Sequence, residues 1–223
     1  MGKNVYSLVL TDEVVQAVDE LAYANNVSRS HLINQILADA LSLTTQETRL
    51  QRLYESVARL FEQERVFQVQ TQPTDAVFSI RSALRYKYNP TIRYSVAFTR
   101  QEDGAFWGDW KAVCRTQSEP LLLLLNRFFQ VMADAERPCQ QHKRVSYQVG
   151  EGRFCKLFAL PKETSVSGKE ADAVLAQSLA DYIRLFDAAI KEYFRAPGEE
   201  NVLREKIRGS YRQYQGKYGL WAL

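Results

Sequence analysis

The stretch Lys3–Leu41, KNVYSLVLTDEVVQAVDELAYANNVSRSHLINQILADAL, carries the clearest structural pattern in the chain. Alternation over Lys3–Leu10 predicts a β-strand, because successive strand side chains point to opposite faces. One face of this strand carries Tyr6, Leu8 and Leu10, and the other carries Lys3, Val5, Ser7 and Val9. Apolar residues then recur at helical spacing twice, over 14–22 and over 32–41. The predicted order is strand, helix, turn, helix.

Local signals place the ends of the two helices. Thr11 and Ser28 each precede an apolar stripe and are predicted N-caps. Asn25 and Asn26 suit a left-handed turn at the end of the first helix. One strand and two helices cannot bury enough apolar surface alone, and a lone strand has an unpaired edge. We therefore expect a dimer in which two strands form an antiparallel ribbon and four helices share one core.

This stretch resembles the ribbon-helix-helix fold of the CopG, Arc and MetJ group of bacterial DNA-binding proteins. The matching segments are the strand VYSLVL, the first helix TDEVVQAVDELA and the turn NNVSRSHLINQIL. The turn is similar to the family's common Gly-x-Ser-(Arg/Lys)-Ser pattern, with Asn26 in place of the glycine. The resemblance covers about a fifth of the chain; the rest resembles no family that we identified.

The resemblance implies a DNA-binding function. In that family the ribbon enters the major groove, and its outward side chains contact base edges. The residues in those positions are Lys3, Val5, Ser7 and Val9, and a phosphate would bind at the start of the second helix through Ser28, Arg29 and Ser30. The chain departs from the pattern because two of its reading residues are valines, which cannot make specific hydrogen bonds to bases. The alternative is that the module serves only as a dimer clasp.

Composition and charge restrict the class of protein. The 223 residues are enough for one large domain or two small ones, and their formal net charge is +3. Residues 1–45 carry a net charge of −3, so the remainder carries +6. The longest apolar run, Leu121–Leu125, is far shorter than the roughly 20 residues of a membrane helix. The chain starts without a signal peptide's apolar core, and three cysteines do not form a disulfide framework. We expect a cytoplasmic protein without membrane contact.

The rest of the chain predicts an α+β domain with an antiparallel sheet. We expect a helix over 46–67, a linker over Gln68–Asp75, and strands over Ala76–Tyr88, Thr91–Arg100 and Ala105–Arg115. A helix from Ser118 or Glu119, a hairpin around Gly150-Glu151-Gly152 and helices over Lys169–Arg195 and Glu199–Tyr214 follow. The predicted buried stripe of the first of these two long helices is Val174, Leu175, Leu179, Ile183, Phe186 and Ile190. The predicted domains are 1–45, a ribbon-helix-helix module, 46–75, a helical connector and linker, and 76–223, the α+β domain.

Basic residues cluster on the first predicted hairpin of this domain. Five cations and no acid lie between Arg81 and Arg100. Four of them, Arg81, Arg85, Lys87 and Arg93, form a candidate second nucleic-acid patch, with Arg81, Arg85 and Lys87 on one face of the first strand. The alternative is a solvated sheet face whose aromatic residues form the core. The basic C-terminal helix, with Arg204, Lys206, Arg208, Arg212 and Lys217, has the same two interpretations.

Catalytic and metal sites are not predicted. A zinc site built from Cys139, His142, Cys155 and Cys114 lacks the paired spacing of such sites, and free cysteines are mostly small core residues. With two histidines and no glycine-rich phosphate loop, neither a catalytic triad nor a nucleotide site is indicated. We expect no enzymatic activity, no metal and no cofactor.

The sequence thus predicts a homodimeric bacterial or archaeal protein that binds double-stranded DNA through its ribbon. Its function would be that of a transcriptional repressor or a plasmid copy-control or partition regulator. The alternative is an interaction or nucleic-acid-binding protein that acts through its basic C-terminal sheet. Assembly beyond two chains, and an effector or protein partner of the C-terminal domain, stay open.

Overall fold

The computed structural model of the chain describes residues 7–40, 46–70, 77–100, 106–140, 145–160, 169–196 and 198–223. The chain divides into two compact units, Met1–Arg49 and Leu50–Leu223. The described part of the first unit contains helices α1 (Asp12–Ala24) and α2 (Arg29–Ala40). A third helix, α3 (Gln46–Arg59), spans the boundary in sequence between the units.

The turn between α1 and α2 has the backbone that the sequence predicts. Asn26 adopts a left-handed φ of 54°. The amide of Val27 donates to the carbonyl of Ala22 at 3.0 Å, and the amide of Asn26 donates to that of Tyr23 at 3.1 Å. This pair of hydrogen bonds is the Schellman motif, which satisfies carbonyls left free at a helix end. The left-handed turn predicted for Asn25-Asn26 is confirmed.

The helix starts are also where the sequence predicts them. The hydroxyl of Ser28 accepts a hydrogen bond from the amide of His31 at 3.3 Å, so the predicted N-cap of α2 is confirmed. Thr11 precedes α1, although its side chain makes no capping hydrogen bond. Residues 3–6 of the predicted strand lie outside the described residues, and residues 7–10 have no regular secondary structure in the single chain.

The second unit contains one antiparallel sheet. Its strands are β1 (Phe67–Gln70), β2 (Val77–Ala83), β3 (Thr91–Arg100), β4 (Phe106–Val113), β5 (Val145–Gly150) and β6 (Arg153–Ala159). The spatial order is β1-β2-β3-β4-β6-β5. Helices α4 (Glu119–Glu136), α5 (Lys169–Arg195) and α6 (Glu200–Tyr218) complete the unit. The protein is therefore a mixed α+β protein with a six-stranded antiparallel sheet and six helices among its described residues.

Two boundary predictions between residues 46 and 75 are wrong. The helix predicted over 46–67 ends at Arg59, and the linker predicted over Gln68–Asp75 overlaps β1. Phe67 and Val69 alternate with glutamines, which lets β1 pair with β2 at the edge of the sheet. The ring of Phe67 also packs against that of Phe61, with centroids 4.8 Å apart. The residues of the predicted linker from 71 onward lie outside the described residues.

The core fills the space between one face of the sheet and the helices. Trp110 is fully buried there, and its ring lies 4.7 Å from that of Phe186 on α5 and 5.0 Å from that of Tyr182. The predicted bounds of α5 are confirmed. Its predicted stripe is buried except for Val174, which is 38% exposed.

Gly108 on β4 is required by this packing. A Cβ at Gly108 would lie 2.2 Å from Cζ of the buried Phe158 ring. Gly108→Ala is expected to lower the free energy of unfolding by about 1–3 kcal/mol, because the ring must move within a close-packed core. Urea denaturation measures this. Gly209→Ala on a helix is the matched control, because a Cβ at Gly209 would have free space within 4 Å. The control is expected to stabilise the protein, so stabilisation by both variants would contradict the packing argument.

Candidate nucleic-acid interfaces

The predicted DNA-binding residues of the first unit are only partly described. Lys3 and Val5 lie outside the described residues, whereas Ser7 and Val9 are exposed. Ser28, Arg29 and Ser30 are exposed at the N-terminus of α2, where free backbone amides favour an anion. The guanidinium of Arg29 donates a hydrogen bond to one carboxylate oxygen of Asp19 and forms an ion pair with the other. A phosphate at this helix end would therefore compete with Asp19 for Arg29.

The first unit leaves much apolar surface in contact with water. Its buried hydrophobic core among the described residues consists of Val18, Ala22 and Leu32. Nine large apolar side chains of the same unit are at least 38% exposed: Leu8, Val9, Leu10, Val14, Val15, Leu21, Tyr23, Ile36 and Leu37. Exposed apolar surface of this extent usually marks an interface with another molecule.

Three arginines form a row across the sheet of the second unit. Arg81 on β2 lies directly opposite Arg93 on β3. Arg93 in turn lies opposite Val113 on β4, and Val113 lies opposite Arg153 on β6. Because strands lie about 4.8 Å apart, the backbone positions of the row span about 14 Å. We call Arg81, Arg93 and Arg153 the arginine row.

The arginine row points away from the core. Residues that flank it along the strands, such as Ile80, Tyr94 and Phe154, are buried, and strand side chains alternate between faces. Arg81 and Arg153 are exposed, and Arg93 is half-buried. Other side chains on this face are exposed or half-buried, with Ser79 an exception. The row is therefore on the face that water reaches.

A depression of about 930 Å³ lies over the row. Lys111 and Arg115 line it together with the three arginines of the row, and Glu151 is the single acid among the described lining residues. The ammonium of Lys111 bonds the carboxylate of Asp109. Among the described residues, no carboxylate lies within ion-pair distance of the arginine row. The depression is therefore strongly positive.

The predicted basic patch is divided between the sheet and a loop. Strand β2 ends at Ala83. The prediction that Arg81 shares a strand face with Arg85 and Lys87 is therefore wrong. They lie instead in the loop 84–90, where the backbone hydrogen bond from Leu84 to the carbonyl of Pro90 closes the connection to β3. The prediction of a strand through Tyr88 is wrong because alternation of apolar and basic residues continues past the strand's end.

A second, smaller cavity continues the positive surface. It has a volume of about 430 Å³ and is lined by Arg65, Arg85, Lys191 and Arg195. Arg81 and Thr91 line both this cavity and the depression, so the two are neighbours. Lys191 is partly neutralised, because its ammonium lies 2.5 Å from a carboxylate oxygen of Asp187.

Three cations near the row, on β4, just after it and on β6, were not predicted from the sequence. Lys111, Arg115 and Arg153 are more than ten residues away from the predicted patch along the chain. Their positions depend on the pairing of β4 with β3 and with β6. The signal in the sequence was the position of Lys111 between Trp110 and Ala112, which assigns Lys111 to the face away from the core.

The contacts of the basic C-terminal helix favour a solvated surface helix over a nucleic-acid contact. Its tyrosines, Tyr211, Tyr214 and Tyr218, are buried, so they do not form a stacking surface with the cations. Several cations of α6 already have acidic partners: Lys206 lies 2.6 Å from Glu192, and Lys217 lies 2.8 Å from Asp181. The helix is an amphipathic surface element.

The most strongly buried charges belong to the core. The ammonium of Lys156 lies 2.5 Å from a carboxylate oxygen of Glu136, and both side chains have zero exposure. Glu136 also accepts hydrogen bonds from the hydroxyls of Tyr147 at 2.9 Å and Tyr182 at 2.7 Å. Tyr211 completes the shell at 3.1 Å from Lys156. Burial lowers the pKa of the Lys156 ammonium, while the Glu136 carboxylate opposes that effect. Because Lys156 and Glu136 have no exposed surface, the pair belongs to the core and is not accessible to a ligand.

The cysteines and histidines form no metal site within the described ranges, where no group of three metal-ligating side chains comes together. Cys114 is buried, and Cys139 and Cys155 are half-buried free thiols. Burial raises the pKa of the thiols of Cys114 and Cys155, which makes them less reactive. His142, which would complete a zinc site with these three cysteines, lies outside the described residues.

No helix of the described ranges has the length and apolar content that a membrane span requires. Among known proteins, the chain matches no family model, no curated protein and no solved structure. Its function must therefore be inferred from its residues and their geometry.

Proposed function

We propose that the protein is a homodimeric DNA-binding protein that reads duplex DNA through an N-terminal ribbon-helix-helix module. The observation that carries this proposal is the helix pair closed at Asn26, which leaves most of its apolar side chains exposed. Function as a repressor or as a plasmid copy-control or partition regulator would follow from occupying a DNA site that other proteins need.

The turn supports the family resemblance in physical terms. The resembled pattern has glycine where this chain has Asn26, and glycine is the residue that most easily adopts positive φ. Asn26 adopts φ 54°, and asparagine is among the non-glycine residues that tolerate this region. The departure from the family pattern at this position therefore preserves the backbone that the turn needs.

The exposed apolar side chains support a second copy as the partner. Three buried hydrophobic residues cannot stabilise a unit of this size, because small domains bury too little surface. In a ribbon-helix-helix dimer, a second copy covers these side chains and supplies the missing partner of the predicted strand. The proposal thus accounts for both deficits of the single chain with one interface.

Dimerisation is tested with Leu37→Glu, because Leu37 is 48% exposed and lies on α2. A buried charge at a central interface position is expected to raise the dimer dissociation constant about 30-fold or more. Sedimentation equilibrium of the full chain measures this. Val202→Glu is the matched control, since Val202 is an exposed residue of α6 in the second unit. A wild-type chain that is monomeric at micromolar concentration would contradict the proposal.

DNA reading is tested by selecting duplexes from a random library with the full chain. We expect enrichment of two half-sites related by two-fold symmetry. Ser7→Ala and Arg29→Ala together are expected to weaken binding to the selected duplex about tenfold or more, because each variant loses its contact in both protomers. If the wild type dimerises but this double variant leaves duplex binding intact, the module is a dimer clasp and does not read DNA.

A further inference from the structure

We propose that the arginine row and the loop 84–90 form a binding site for single-stranded nucleic acid in the second unit. This site is separate from the proposed duplex-reading ribbon, and neither depends on the other. The ligand chemistry is a flexible chain of phosphates that carries unpaired bases, which single-stranded DNA and single-stranded RNA share. Four features of the described residues carry the proposal.

The first feature is unpaired positive charge at three positions across the sheet. Like charges that lie directly opposite each other on neighbouring strands destabilise a sheet, and Arg81 lies directly opposite Arg93. Arg153 adds a third guanidinium two strands farther along. A polyanion along the row would relieve this repulsion at several points, whereas a single small anion would relieve it at one. The arrangement therefore fits a chain of phosphates.

The second feature is the depth of the charges. Arg93 is half-buried, its Nε atom is buried, and that atom has no hydrogen-bond partner among the described residues. Lys111, in the same depression, has a side chain that is 40% exposed. Duplex DNA is stiff over about 150 base pairs, so it contacts protruding groups more easily than recessed ones. A single strand can bend into the depression and reach Arg93.

The third feature is an exposed aromatic ring in the loop that joins two strands of the row. Tyr88 is 95% exposed in the loop 84–90, between the exposed residues Lys87 and Asn89. The strands that this loop connects carry Arg81 and Arg93, with the pair Ala83 and Thr91 at their ends. Basic grooves combined with exposed aromatic rings are typical of single-strand binding, because each base can stack on a ring.

The fourth feature is the backbone at Tyr88. Its φ is 64°, followed by φ 45° at Asn89. A bulky residue rarely adopts this left-handed region, which costs it roughly 1–2 kcal/mol. Tyr88 recovers little of this cost through packing, because it is almost fully exposed. The turn closed by the amide of Asn89 on the carbonyl of Tyr86 places Tyr88 at a position where positive φ occurs. Backbone strain of this kind is found preferentially at binding sites, and here it holds the ring out in water.

Binding is tested with the full chain and two 20-nucleotide probes, oligo(dT) and oligo(U), across a salt titration. Removing two phosphate contacts with Arg81→Gln and Arg153→Gln is expected to lower the logarithmic salt slope by about 1.4, which is about 25-fold in affinity at 0.1 M salt. The matched control is Arg52→Gln with Arg212→Gln, two exposed arginines on α3 and α6, and is expected to leave the slope unchanged.

Stacking is tested with Tyr88→Asn, because asparagine tolerates the left-handed backbone and the fold is preserved. Loss of one stacked base is expected to weaken binding about fivefold or more, with an unchanged salt slope. Tyr88→Phe retains the ring and is expected to retain affinity. Val202→Asn is the matched control, since Val202 is 67% exposed on α6 of the second unit.

The outcomes separate this site from the ribbon. Binding of oligo(dT) alone identifies single-stranded DNA as the ligand, and binding of oligo(U) alone identifies RNA. Single-strand binding that survives Arg81→Gln with Arg153→Gln overturns the proposal, as does the absence of binding to both probes. A duplex that binds this row more tightly than either probe also overturns it. Ser7→Ala with Arg29→Ala is expected to leave single-strand binding unchanged, so failure of the ribbon does not affect this test.

Discussion

Lys156→Met is expected to lower the free energy of unfolding by about 3–5 kcal/mol, the largest effect of any single substitution that we propose. The substitution leaves the Glu136 carboxylate at zero exposure without its cation. Two tyrosine hydroxyls still donate to Glu136, but they are neutral and cannot balance its charge. Since domains of this kind are stable by about 5–15 kcal/mol, the loss is a large part of the total.

The comparison that isolates the ion pair is a double-mutant cycle. Lys156→Met combined with Glu136→Leu removes both charges, and we expect this variant to be more stable than Lys156→Met alone. Urea denaturation of the full chain gives the four free energies. Lys206→Met is the matched control, because its ion pair with Glu192 is exposed and contributes about 1 kcal/mol or less. A double variant that is less stable than Lys156→Met would contradict this role of the pair.

The elements that the sequence predicts best depend on local signals. The turn at Asn26, the cap at Ser28 and the whole of α5 are specified by residues close to them in the chain. A helix cap or a 3.6-residue stripe needs no knowledge of distant segments. Strand ends are harder to predict, because β2 stops at Ala83 although its alternation continues toward Tyr88.

The arginine row and the buried pair depend on pairing between distant segments. Arg153 reaches the row only because β6 pairs with β4, and Glu136 meets Lys156 only when α4 covers β6. The sequence did contain one relevant signal, since Lys156 lies between Phe154 and Phe158 on the same strand face. A lysine on an otherwise aromatic face needs a buried acid, but alternation does not identify which one.

The free energy of unfolding is expected to fall steeply above pH 10. Among the described residues, burial raises the pKa of eight tyrosines above the ordinary value of 10, and the increase is large for six of them: Tyr54, Tyr94, Tyr147, Tyr182, Tyr211 and Tyr214. The folded chain therefore keeps protons that the unfolded chain releases above pH 10, so stability falls as pH rises. Above pH 10, each of these six groups lowers the free energy of unfolding by about 1.4 kcal/mol per pH unit. The six together lower it by about 8 kcal/mol per pH unit. Lys156 has the opposite effect, since its lowered pKa makes stability rise as the pH approaches 10.5. It is a single group, so the six tyrosines outweigh it.

This sum predicts cooperative unfolding near pH 11, because about 8 kcal/mol is comparable with the total stability of a domain. Urea denaturation at several pH values gives the slope, and absorbance at 295 nm reports tyrosinate formation. Tyr54→Phe keeps the ring that stacks on Phe78 and removes one ionisable hydroxyl, so the slope is expected to fall by about a sixth. An absorbance change that accounts for all of the chain's tyrosines before the fold is lost would contradict the prediction, because buried hydroxyls can ionise only when the core opens.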